Sequence, residues 1–134
     1  MQENKKQNIK KKAPYIIVGA VLLIIGAFVA SNMAETGPGK TPVDTAEVWV
    51  KAMVTSDPEL MNKINHAEFF TWPTQHLMNL ATEDNWGQYD LKDFEFTDLG
   101  GGKVEVAHPE RRTMILTMTK ENARWYFVDL DIKN

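Results

Sequence analysis

Three histidines, His66, His76 and His108, are the side chains best suited to metal or proton chemistry in this chain. A zinc site needs ligands at i,i+3 or i,i+4 spacing, or an HExxH run, and neither occurs. His66-Ala67-Glu68 is too short a signal to make one. His66 instead reads as closing a helix, where an imidazole lies well against the C-terminal dipole. There is no cysteine, which excludes a thiolate metal site, a cysteine nucleophile, a disulfide and the lipidated cysteine of a bacterial lipoprotein. General acid–base work requires a group in an apolar pocket with a matched pKa, and the candidates are His76, Tyr89 and Asp129. Alternation puts Asp129 on the strand face of Trp125 and Phe127, aimed inward or paired at the sheet's rim with Arg112 or Arg124. Nucleophile elbows, phosphate loops and Ser/His/Asp sets are absent. Gly100-Gly101-Gly102 precedes a strand and not a helix, so it is a hairpin turn and not a phosphate cradle. No catalytic, cofactor-binding or metal-ligating residue is expected from these side chains.

Four aromatic residues, Phe69, Phe70, Trp72 and Trp86, are the candidate partner-binding set. They would line an open pocket mouth or a contact surface; the plainer alternative is that they are core. The acids Glu83, Asp84, Asp90, Asp93, Glu95 and Asp98 read as a solvated face, with an acidic partner patch as the alternative.

The elements that must position these groups follow from periodicity and capping. Thr41-Pro42-Val43-Asp44 is a helix start: a capping hydroxyl, a proline at the first helical position and an acid facing the dipole. Val43, Ala46, Val50 and Val54 then recur at helical spacing, which predicts a helix over 42–55. Asp57-Pro58 repeats the signal for a short helix over 58–65, and Pro73 begins a third that runs to about 83. After Trp86-Gly87 the period becomes two. Strands are predicted over 91–99, 103–108, 112–120 and 124–132, joined by connections short enough to force antiparallel neighbours. The fold class is α+β: about three helices packed on a four-stranded antiparallel sheet, in one small cone-shaped domain over 42–134. Ninety residues build a marginal core, so the helix over 42–55 must pack across the sheet.

Ahead of that domain, residues 13–34 carry no charge, and 15–30 are almost wholly apolar. A bilayer core needs ~20 such residues. Lys5, Lys6, Lys10, Lys11 and Lys12 precede the run, and no comparable cluster follows it. The positive-inside rule therefore keeps the N-terminus cytoplasmic and exports the C-terminal domain to the periplasm or the cell exterior. The expected organisation is a basic tail over 1–13, a transmembrane helix over 14–34 and a short flexible linker over 35–41. A cleaved secretory signal is the competing reading; its apolar region would be long, and Val29-Ala30-Ser31 is a poor cleavage site. Gly26/Ala30 and Ala27/Ser31 have the small-xxx-small spacing that supports helix–helix packing, although small residues are common in such helices. Formal net charge is −3, but residues 44–134 hold sixteen acids against nine bases. So acidic a domain argues against nucleic-acid binding.

Two stretches carry a family resemblance. TAEVWVKAMVTSDPELMNKI and KENARWYFVDLDI resemble the opening helix and the closing hairpin of the cystatin-like cone-fold superfamily, that of nuclear transport factor two, ketosteroid isomerase and SnoaL-like proteins. The likeness spans about residues 41–134, and is nearest to membrane-anchored, extracytoplasmic bacterial members, including small lipoprotein-like domains of unknown function. It implies that Trp125 packs the sheet against the helix. A cone domain behind one membrane helix also resembles an assembly component of conjugative and type IV secretion machines. The superfamily's enzymes use an Asp or His base in the cone's mouth, and no catalytic motif of theirs can be carried onto a position here. The function expected is therefore non-catalytic: a membrane-anchored binding or scaffold protein of an envelope-associated complex, its partners the bilayer, other envelope proteins and further copies of itself. The alternatives are a small-molecule-binding or SnoaL-like enzyme using the cone pocket, and an accessory or immunity-type protein that binds one partner. A deep pocket with a buried polar group aimed into it would favour the enzyme.

Overall fold

The computed structural model describes residues 37–133. The expected basic tail, the expected transmembrane helix over 14–34 and the first residues of the expected linker lie outside the described residues. Among the described residues no helix is long and apolar enough to cross a membrane.

Helix α1 spans Pro42–Thr55. The Thr41 hydroxyl accepts the Asp44 N–H at 3.1 Å, and the helix stops at Ser56, whose φ of 52° is left-handed. Helix α2, Pro58–Ile64, is capped in the same way by Asp57, which accepts the Leu60 N–H at 3.1 Å. Helix α3, Thr74–Glu83, has no side-chain cap; Pro73 precedes it, and the Thr74 hydroxyl donates to Asn62 Oδ1 on α2. Two short 3-10 turns, Trp86–Gln88 and Leu91–Asp93, lead into the sheet. The second occupies the start of the segment expected as the first strand, which shortens that strand to β1, Glu95–Gly100. β2 (Lys103–His108), β3 (Arg111–Glu121) and β4 (Arg124–Ile132) follow, each antiparallel to the one before, in the order β1-β2-β3-β4. This is the α+β arrangement of three helices and a four-stranded antiparallel sheet.

α1 is the axis of the core. Residues 45–50 are all buried, because the sheet lies on one side of the helix while α2, α3 and the Trp86 turn close round the rest. Trp49 meets Trp86 edge-on at 5.7 Å between centroids and Phe127 at a tilt at 5.6 Å, so aromatic rings fill the space between α1 and β4. Aromatic pairs of this geometry contribute ~0.5–1.5 kcal/mol beyond their buried area.

Two expectations are corrected here. In β4, Thr117 pairs with Asp129 but Met118 with Phe127, so Val128 is an extra, bulged residue. The bulge resets the alternation, and Phe127 and Leu130 are both buried although an odd number of positions separates them. Asp129 thereby leaves the face of Phe127, and its carboxylate accepts the Thr71 hydroxyl. The second correction concerns the linker. The Gly39 N–H donates to the Thr45 hydroxyl at 3.0 Å, that hydroxyl donates to the Trp125 carbonyl at 2.8 Å, and the Trp125 N–H returns to the Gly39 carbonyl at 3.0 Å. Residues 37–41 are thus fastened to the outer edge of β4 and are not a free spacer.

The sheet has two distinct ends. The glycine turn at 100–102 and the β3–β4 hairpin lie at one end, beside the chain's entry at Gly39. The β2–β3 turn, the start of β3 at Arg111 and the close of β4 at Ile132 lie at the other. The eleven residues of β3 separate them by roughly 33 Å.

Candidate functional site

The end remote from Gly39 carries the cleft. A register shift between Val106 and His108 opposes His108 to Arg111 and turns the Arg111 side chain inward, while Arg112, which strict alternation would bury, is exposed. The Arg111 side chain is 14% exposed; its guanidinium carbon sits 4.4 Å from the centroid of the Trp86 ring and 5.7 Å from that of Tyr89. Nη2 donates to the Asp84 carboxylate at 3.2 Å, just past the end of α3, and Nε is buried without a hydrogen-bond partner. Asp84, Glu110, Arg111, Arg112, Met114 and Ile132 line an open cleft of about 370 Å³. Beneath it the rings interlock. Trp86 stacks on Phe94 at 5.7 Å, and His108 packs on Tyr89 at 4.5 Å and on Phe94 at 4.6 Å. The Glu110 N–H donates to His108 Nδ1 at 3.0 Å, so that nitrogen is the unprotonated one.

Such a site holds a planar cation in place before anything binds. The aromatic rings hold the guanidinium in place; with Nη2 on Asp84 and Nε buried, the rest of the guanidinium is left to meet a carboxylate or another anion. Met114 and Ile132 supply apolar wall.

The other histidine environment is structural. The Asn65 N–H, not His66, closes α2 by donating to the Met61 carbonyl, so His66 is not the helix-terminal residue expected. Its backbone N–H donates to the Phe127 carbonyl at 2.9 Å, which docks the chain on the β4 edge. His66 Nδ1 accepts the N–H groups of Glu68 and Phe69 at 3.0 and 3.1 Å, so the ring proton is on Nε2, 3.1 Å from Glu121 Oε1. The buried imidazole shapes the 65–72 loop. His76 is exposed on α3.

The four aromatic candidates do not assemble into one patch. Trp86 is fully buried beneath Arg111, so it supports the cleft and offers no surface of its own. Trp72 packs partly buried against the core. Phe69 and Phe70, 63% and 41% exposed, stand on the 65–72 loop toward the opposite end of the sheet, with Phe69 stacked on His66 at 4.9 Å.

A comparison with family models, with curated proteins and with solved structures finds no match. The site is therefore defined by its own geometry. Two notable groups, one in the cleft and one in the core, were not foreseen from the sequence. Arg111 turns inward only because of the register shift. Glu47 is 5% exposed on α1 and has a buried Oε1 with no hydrogen-bond partner. Burial, with the nearby Asp44 carboxylate adding to it, pushes the Glu47 carboxyl up to about 8. A signal for Glu47 existed: it shares a helix face with Val43, Val50 and Val54.

Proposed function

We propose that this protein is a single-pass membrane protein whose domain is a non-catalytic binding module in an envelope-associated complex such as a secretion or conjugation apparatus. The lysine cluster and the uncharged run over 13–34 support an anchor with the domain outside the cytoplasm. Three helices on a four-stranded antiparallel meander are compatible with a cystatin-like cone.

The observation that carries the binding reading is Arg111: a guanidinium clamped over Trp86, with donors to spare, at the floor of a cleft at the end farthest from the chain's entry. The cleft suits a carboxylate with an apolar neighbour, as on an acidic segment or chain terminus of an adjoining subunit. Anchoring raises the effective concentration of the domain near such a subunit, so a weak contact suffices.

The test is a photocrosslinker at position 112 of the full-length protein in its native membrane, compared with one at exposed Lys92. One discrete adduct at 112, absent at 92 and lost in Arg111→Ala with the domain still folded, is the expected result. Identical adducts at both positions would refute a cleft-specific partner. Competition of the adduct by small carboxylates alone would move the site to the small-molecule alternative.

A further inference from the structure

We infer that the Phe69–Phe70 loop is a second membrane contact, seated in the lipid headgroup region beside the anchor. The inference rests on the anchored reading above and adds an orientation to it. The outer edge of β4 carries, in order, Gly39 and Thr45 on Trp125, His66 on Phe127 and Thr71 on Val128. The point where the chain enters the domain and the start of the 65–72 loop are therefore two strand residues apart, roughly 7 Å.

Between Ala34, which ends the uncharged run, and Gly39, the first residue bonded to β4, stand only residues 35–38. Five peptide steps reach at most ~18 Å. An anchored domain cannot stand off from the bilayer on so short a tether, because Gly39 is already bonded to β4. The hairpin end of the sheet must face the lipid.

What that end presents fits an interface. Phe69 and Phe70 are two of the four exposed large hydrophobic side chains among the described residues, and they are adjacent. Their loop is held in shape by His66, whose ring underlies Phe69 and whose Nε2–H reaches Glu121 on the hairpin. Exposed Lys40, Lys120 and Arg124 cluster around Trp125 at the same end, placed for anionic headgroups. Rigid aromatic rings beside cations are the composition of an interfacial belt. The Arg111 cleft then points away from the membrane, toward whatever the domain meets there.

The chain has no cysteine, so single labels can be placed without removing any. The full-length protein carrying Phe70→Cys, or separately Glu110→Cys, is labelled with an environment-sensitive fluorophore. It is then reconstituted into phosphatidylcholine–phosphatidylglycerol vesicles containing brominated acyl chains. Several-fold stronger bromine quenching at 70 than at 110 is the result expected, and the difference should shrink when Phe69→Ser is added. Equal, weak quenching at both positions, in protein that still floats with the vesicles, overturns the loop contact and leaves the anchor standing. Failure to float at all overturns both. A matching unfolding temperature for the labelled and unlabelled protein guards against a misfolded variant, and Ala67→Cys, at an exposed position of the same loop, gives an independent reading.

Discussion

The guanidinium carbon of Arg111 lies 4.4 Å from the centre of the Trp86 ring, and Trp86 itself has no exposed surface. The contact ties the start of β3 to the turn after α3, two segments that share no backbone ladder. A desolvated cation–π contact contributes up to ~2 kcal/mol, whereas the Arg111–Asp84 ion pair, with Asp84 41% exposed, adds little. Arg111→Ala should therefore lower stability by about 1–2 kcal/mol and change Trp86 emission; Asp84→Asn should leave the melting temperature nearly unchanged. Thermal unfolding followed by tryptophan fluorescence reads both. An equal loss in the two variants would assign the effect to the ion pair.

Glu47 makes the fold sensitive to pH. Its folded-state pKa of about 8 lies above the ordinary value of 4.5, so between those values the folded chain holds a proton that the unfolded chain has released. The contribution of this group is full below pH 4.5 and is lost as the pH rises through about 8. Glu47→Gln should flatten that dependence, and at pH 8 it should be more stable than the parent by roughly 1–3 kcal/mol. Chemical denaturation at pH 5 and pH 8 checks it; parallel pH profiles for the two proteins would count against the assignment.

The β3–β4 hairpin turns through Asn122 and Ala123, with φ of 54° and 66°. An asparagine tolerates that region; an alanine resists it by roughly 1–2 kcal/mol. Ala123→Gly should stabilise the protein by about 0.5–1 kcal/mol after the greater freedom of glycine in the unfolded chain is subtracted. A lower melting temperature for this variant would mean that the turn is not under strain.

At Gly39 the reverse holds. A Cβ there would come within 2.2 Å of the Asp44 Cβ, so Gly39→Ala must displace the first turn of α1 or the strap itself. The expected cost is ~1–3 kcal/mol, with faster hydrogen exchange at the Trp125 amide, which loses its acceptor. Unchanged exchange would show that the strap yields without releasing β4.

Much of the fold was legible from neighbouring residues. The caps at Thr41 and Asp57, the prolines after them and the shift from helical to alternate spacing after Trp86-Gly87 are local signals. α1 and the bounds of β2 and β4 follow them to the residue. Trp86 and Phe69 were not separable on the same grounds. Both are aromatic residues in turn-rich segments, and only packing makes one the floor of a cleft and the other a surface side chain.

The sequence by itself determined the helix starts, the three tight turns, the α+β order and the uncharged run ahead of the domain, because capping, proline geometry and hydrophobic period act within a few residues. Tertiary structure alone decided that Val128 bulges and turns Asp129 outward, that Gly39 is strapped to Trp125, that Arg111 and not Arg112 enters the cleft, and that Glu47 is buried. Each of those depends on the register between strands or on what closes over a helix face. Register and burial are settled by the whole core filling its volume together, and no local spacing encodes them.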